Sequence, residues 1–169
     1  QWIGDRPLTG GVKYRLWPIC PEGMPALIFG EGGTGKSFVG LLAAVLVQAG
    51  HTAVGLRPIQ GNVLYLDYET SPETQNERVK AICAGLVLPD MRIAYRYCYH
   101  PLAEDIETIQ EMIGDQGISL LVVDSLGLHL FTLGRELSHL SLAKGFEFHE
   151  KLVYAAGVAP LDKRGKAGA

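Results

Sequence analysis

The sequence predicts an α/β fold, a mostly parallel sheet flanked by helices, on three observations. Apolar runs of strand length alternate with helical patterns along most of the chain. One run, "ISLLVVD" (118–124), is apolar without alternation, as expected of a strand buried on both faces. A glycine-rich stretch, "FGEGGTGKSF" (29–38), sits between a short apolar run and a long helical one. At 169 residues the chain can bury the core of one domain.

Each element follows in order. Residues 1–25 hold Pro7, Pro18, Pro21 and Pro25 with Gly4, Gly10, Gly11 and Gly23, and predict an irregular N-terminal arm rather than a packed element. "PALIF" (25–29) reads as a short buried strand entering the glycine loop. "KSFVGLLAAVLVQAG" is apolar nearly all round, which suits a helix buried against a sheet, with Gly50 as its stop. "GNVLYLDYE" (61–69) is a second strand, rich in β-formers. "TSPE" opens a helix, either with Thr70 as cap and Glu73 three residues on, or with Ser71 as cap and Pro72 at the first helical position. That helix carries Val79, Ile82, Cys83 and Leu86 on one stripe. "RIAYRYCY" (92–99) is a third strand. Residues 102–117 read as an amphipathic helix with Leu102, Ile106, Ile109 and Ile113 on one stripe, and 118–124 is the fourth strand. A less regular helical pattern runs from 135 to 156, and a short apolar stretch from 158 to 161.

Bulk properties exclude several classes. A formal charge of −3 rules out a chain-wide polybasic nucleic-acid binder, so any DNA contact needs a local patch. Cys20, Cys83 and Cys98 are odd in number and widely spaced, which argues against a disulfide framework or zinc site and suits a reducing, cytoplasmic setting. The longest apolar run, 39–47, is far short of a membrane span, and no signal peptide is evident. The start at Gln1 and the basic, glycine-bearing end read as a piece of a longer protein.

Gly30, Glu31, Gly32, Gly33, Thr34, Gly35, Lys36 and Ser37 fit the pattern G-x-x-x-x-G-K-[ST]. Glycines there let the backbone bring several N–H groups around phosphate oxygens, and the following helix adds its unpaired N-terminal N–H groups. Lys36 would neutralise β/γ-phosphate charge and the Ser37 hydroxyl would ligate Mg²⁺. A chance match in a chain of this length is on the order of one per cent, and here it also has the strand–loop–helix context. Asp124 ends its apolar strand where open α/β sheets place their ligand crevice, and is the candidate second holder of Mg²⁺. Asp67 and Glu69 end another strand; read as one continued strand they share a face, and Glu69 is the candidate that polarises an attacking water.

"LIFGEGGTGKS", "GNVLYLDYET" directly after the loop's helix, and "LLVVDSLG" resemble the RecA-like P-loop ATPases. Among them they resemble the RepA-type hexameric replicative helicases of plasmid, phage and mobile-element replication. The resemblance covers about 17–130. It implies a three-layer RecA-like core over 26–169, incomplete at its C-terminal end. It also implies ATP and Mg²⁺ as ligands, Glu69 as catalytic glutamate, Asp124 as Walker B aspartate, and single-stranded DNA as partner of a homo-oligomeric ring with no membrane. "LDKRGK" (161–166) is similar to the family's phosphate-sensing segment, but Lys163 stands where histidine is usual. Lys163, Arg164 and Lys166 could instead reach a neighbouring subunit's nucleotide or DNA, or form a solvated tail. The arginine acting from a neighbour is not identified.

The alternatives are a RecA- or RadA-like recombination ATPase and a nucleotide-gated assembly switch with slow turnover. His129 and Arg135, in the loop after Asp124, are candidates for DNA contact against a plain surface loop. Tyr14 and Trp17 could stack on adenine or pack the arm; Tyr95, Tyr97 and Tyr99 could stack bases or lie under a helix.

Overall fold

The computed structural model describes residues 11–102, 104–124 and 152–157. In order come strands β1 (Tyr14–Trp17), β2 (Cys20–Pro21) and β3 (Pro25–Phe29), then helix α1 (Lys36–Ala49) and strand β4 (Arg57–Pro58). Next are β5 (Asn62–Asp67), α2 (Pro72–Gly85), β6 (Ala94–Tyr97), α3 (Ile106–Asp115), β7 (Ile118–Asp124) and β8 (Leu152–Gly157). The main sheet has the order β3-β8-β7-β5-β6. β5 runs parallel to β6 and β7, with Asp67 in register with Tyr97 and Asp124. β8 is antiparallel to both β3 and β7. Those two reversals cancel, so β3 points with β5, β6 and β7, and the carboxyl ends of all four reach one edge.

The expected mostly parallel sheet flanked by helices is therefore present, with one antiparallel strand that the sequence pattern did not reveal. The helical pattern expected over 135–156 is wrong at its end, because 152–157 is β8. "LVYAAG" is too short and too uniformly apolar for periodicity to separate helix from strand. Pairing on both edges, with β3 and β7, settles its conformation. The rest of that segment, and the stretch 158–161, lie outside the described residues.

Alternation along β5 sends Val63 and Tyr65 to one face and Leu64 and Leu66 to the other. The first face packs with Leu41, Ala44, Leu46 and Val47 of α1 and with Leu120 and Val122 of β7, while Val79, Ile82 and Leu86 of the α2 segment lean on the same cluster. The second face packs with Ile109 of α3, Cys98 and Val123. Burial on both sides explains the unbroken apolar character of β5 and β7. α1 ends at Gly50, whose φ of 66° only glycine takes without strain. Of the two possible caps for α2, Ser71 is the one used: its side chain accepts from the Thr74 N–H, with Pro72 at the first turn.

Residues 14–21 correct the expectation of an irregular arm. β1 pairs with β2 and β4 in a small antiparallel sheet, and Leu16 and Cys20 are buried in the α1-side core. Pro18 and Pro21 bound these strands rather than forbid them, since proline is tolerated where a short edge strand ends. Burying Leu16 contributes about 1.5–3 kcal/mol towards holding this four-residue strand down, beside its ladder bonds to β2 and β4. Residues 1–10 lie outside the described residues. β3, expected to be buried, keeps Leu27 and Phe29 exposed on one face, while Ala26 and Ile28 on the other pack against the α1-side core. Among the described residues no helix is long and apolar enough to cross a membrane.

Candidate functional site

The glycine loop joins β3 to α1 at the carboxyl edge of the sheet. Gly30, Gly33 and Gly35 have φ of 155°, 80° and 88°, whereas Gly32 does not need a positive φ. Gly35 is the N-cap of α1, so no side-chain oxygen occupies the amide groups of its first turn. Lys36 is buried, and its Nζ donates to the carbonyls of Gly30 at 2.5 Å and Glu31 at 2.6 Å, curling over the loop. Thr34 Oγ1 donates to the Glu31 carbonyl at 2.9 Å, closing the loop from within.

Across the edge, Ser37 Oγ donates to Asp124 Oδ1 at 3.1 Å, and Tyr65 donates from its hydroxyl to Asp124 Oδ2 at 2.7 Å. Asp124 thus links the first turn of α1 to the end of β7. Burial pushes its carboxyl above the usual carboxylate range; the bonds from Tyr65 and Ser37 oppose that, and the charges of Asp67 and Glu69 add to it. The Tyr65 hydroxyl is pushed up, by burial first and then by Asp124. A buried carboxylate among other acids, with a serine hydroxyl against one oxygen, is a hard oxygen donor pair suited to a small divalent cation. Such a cation usually takes one or two protein ligands and fills the rest with water and phosphate oxygens.

Asp67 ends β5 beside Asp124, but Glu69 does not share its strand face. β5 stops at Asp67 and the chain bends over 68–70. Asp67 Oδ1 accepts from the N–H groups of Glu69 and Thr70, both at 2.9 Å, which turns Glu69 out to an exposed position. The expectation of a continued strand fails because this side chain offers the backbone a turn in place of the ladder. The charge of Glu69 is nevertheless felt at Asp124. The structure therefore brings Lys36, Ser37, Asp124 and Glu69 to one edge.

Three side chains hold these acids in a way the sequence reading does not give: Tyr65 and Gln75, which it does not single out, and Tyr95, which it reads only as a stacking or packing residue. Gln75 Nε2 donates to Asp67 Oδ2 at 2.6 Å, and the Tyr95 hydroxyl lies 3.2 Å from the same oxygen. A signal existed for two of them. Tyr65 carries a hydroxyl in an otherwise aliphatic buried strand, and Gln75 lies four residues before Val79 on the apolar stripe of α2. Buried polar groups need partners. The Arg57 guanidinium lies 4.0 Å from the Trp17 ring centroid, and Trp17 stays exposed. Tyr97 and Tyr99 meet edge to face at 4.7 Å, with Tyr99 exposed. His129, Arg135, Lys163, Arg164 and Lys166 lie outside the described residues.

A family model described as AAA domain matches residues 11–138, from the start of the small sheet past Asp124. Comparison with curated proteins found no match, and comparison with solved structures found none either. Since the match spans well over half of the chain, this protein belongs to the AAA domain family, a P-loop ATPase-type family.

Proposed function

We propose that this AAA domain protein binds ATP with Mg²⁺ and hydrolyses it as the motor core of a RepA-type replicative helicase, acting on single-stranded DNA as a hexameric ring. The observation that carries the hydrolytic part is the Ser37–Asp124 hydrogen bond, which joins the glycine loop to the acid at the end of β7. The DNA and ring parts rest on the resemblance of the three motifs.

In this reading the loop N–H groups and Lys36 hold the β- and γ-phosphates. Lys36 Nζ exchanges the carbonyls of Gly30 and Glu31 for phosphate oxygens, a charge-assisted and stronger pairing. Ser37 and Asp124 hold Mg²⁺, which supplies neutralisation of the charge that spreads over the transferred phosphoryl group. Glu69 accepts a hydrogen bond from the attacking water and orients it in line. An arginine from a neighbouring subunit completes the charge balance.

The test is ATP turnover, with and without single-stranded DNA. Glu69→Gln is expected to bind nucleotide normally and to lose turnover by about 10²-fold or more, a size typical of a lost general base. Lys36→Ala is expected to lose binding itself. Stimulation by DNA should weaken as salt rises, because phosphate contacts release counterions. A turnover rate indifferent to DNA sinks the motor reading and leaves the nucleotide-gated switch; wild-type turnover in Glu69→Gln sinks the catalytic assignment.

A further inference from the structure

Asp67 is buried and outside the set of residues read as holding phosphate or Mg²⁺, yet four donors converge on it. Its two oxygens divide the work. Oδ1 takes the N–H groups of Glu69 and Thr70, so it sets the turn on which Glu69 stands. Oδ2 is held from outside the turn, by Gln75 of α2 at 2.6 Å and by the Tyr95 hydroxyl of β6 at 3.2 Å. The Tyr95 hydroxyl is also 3.2 Å from the Thr70 carbonyl, so its one proton is shared between the carboxylate and the far end of the turn. Gln75 is itself oriented: its Oε1 accepts from Arg78 Nη1 at 3.3 Å, which leaves Nε2 to face Asp67. The Arg78 guanidinium lies 5.0 Å over the Phe38 ring, next to Ser37 in α1.

We propose that Gln75 and Tyr95 are positioning residues for ATP hydrolysis: acting through Asp67, they lock the 67–70 turn and fix where Glu69 meets the attacking water. This rests on the reading of Glu69 as the water-orienting acid. Glu69 stands one residue past the ladder bond from the Tyr68 N–H to the Asp124 carbonyl, and its own N–H turns to Asp67 Oδ1. Its N–H is held by the Asp67 carboxylate, and that carboxylate is held in turn from α2 and β6. An error of about 1 Å in such a group can cost about 10²-fold in rate. Removing a network that only strengthened the fold would instead lower the melting temperature and leave the rate of the folded fraction unchanged.

Two variants of the intact protein separate these roles. Gln75→Met keeps the length and bulk of the side chain but cannot donate. Tyr95→Phe removes one hydroxyl and keeps the ring that stacks on Tyr65, 6.5 Å between centroids. Each is expected to lower kcat for ATP about tenfold while nucleotide Kd stays within about twofold. Amide exchange at Glu69 and Thr70 is expected to speed up about tenfold or more, with core strands unaffected. In a Glu69→Gln background the same changes should leave the residual turnover where it was, because the carboxylate they place is gone.

Wild-type kcat in both folded variants, with Glu69→Gln slow, overturns the positioning role and leaves the catalytic reading standing. A loss that multiplies in full with that of Glu69→Gln also overturns it, since the network would then act elsewhere. Wild-type turnover in Glu69→Gln itself removes the catalytic reading and this inference together. Should Gln75→Met fail to fold, Tyr95→Phe alone decides, as it removes a single oxygen.

Discussion

Asp124 shows at the residue scale how a site is held at the expense of stability. Its carboxyl is pushed above its ordinary 3.8, chiefly by burial. A carboxyl whose folded value is raised binds its proton more readily in the native than in the unfolded chain. Its contribution to stability is therefore full below the unfolded value and lost as pH rises through the raised folded value, so at neutral pH it is least favourable. Asp124→Asn keeps the shape and removes the charge, and its amide can still meet the Ser37 and Tyr65 hydroxyls. We expect it to raise the melting temperature at pH 7 without nucleotide, by an amount worth about 1 kcal/mol. The gain should shrink on acidification, and Mg²⁺-dependent nucleotide binding should be lost. Melting curves across pH, with and without Mg²⁺ and ATP, read both effects; a variant less stable than wild type at neutral pH contradicts the sign.

At the scale of elements, α2 carries more than its apolar stripe suggests. Its start is set by Ser71, whose hydroxyl accepts from the Thr74 N–H at 3.3 Å, and by Pro72 in the first turn. Four residues after the cap, Gln75 reaches Asp67. Ser71→Ala should cost about 1 kcal/mol of stability, the usual loss for a hydroxyl cap. Because fraying at this end also loosens Gln75, ATP turnover should fall with it, whereas a cap mutation at a helix remote from the site lowers the melting temperature alone. Denaturant melts and turnover on one preparation check both. The helix itself was legible from Val79, Ile82, Cys83 and Leu86, and its cap was narrowed to two candidates. Which cap is used depends on where β5 ends, and β5 ends where Asp67 captures two amides.

For the whole molecule, the closest approach to a glycine among the described residues is at Gly61, just before β5. A Cβ there would lie 2.0 Å from Ser119 Oγ and 2.9 Å from its Cβ, in β7. The Gly61 N–H is held by the Val47 carbonyl at 3.1 Å, and Ser119 Oγ donates to the Asn62 carbonyl at 3.1 Å. Gly61→Ala should therefore destabilise by about 1–3 kcal/mol, as overpacking does. Adding Ser119→Gly should recover much of that loss. Unfolding midpoints of the two single variants and the double variant measure the coupling, and strict additivity contradicts the clash.

Legible in the sequence alone were the glycine loop and its flanking strand and helix, strand β5, the two-faced strand β7, the helices around them, and the acid at the end of β7. Each is written locally, in glycine spacing or in hydrophobic period, and needs no distant partner to be read. The tertiary structure alone decided that residues 14–21 are packed, that 152–157 is a strand between β3 and β7, and that Asp67 rather than a continued strand places Glu69. Those outcomes depend on burial against distant residues and on which donors reach one carboxylate. Neither leaves a period in the chain, because a hydrogen bond between residues such as Tyr65 and Asp124 comes from folding, not from spacing.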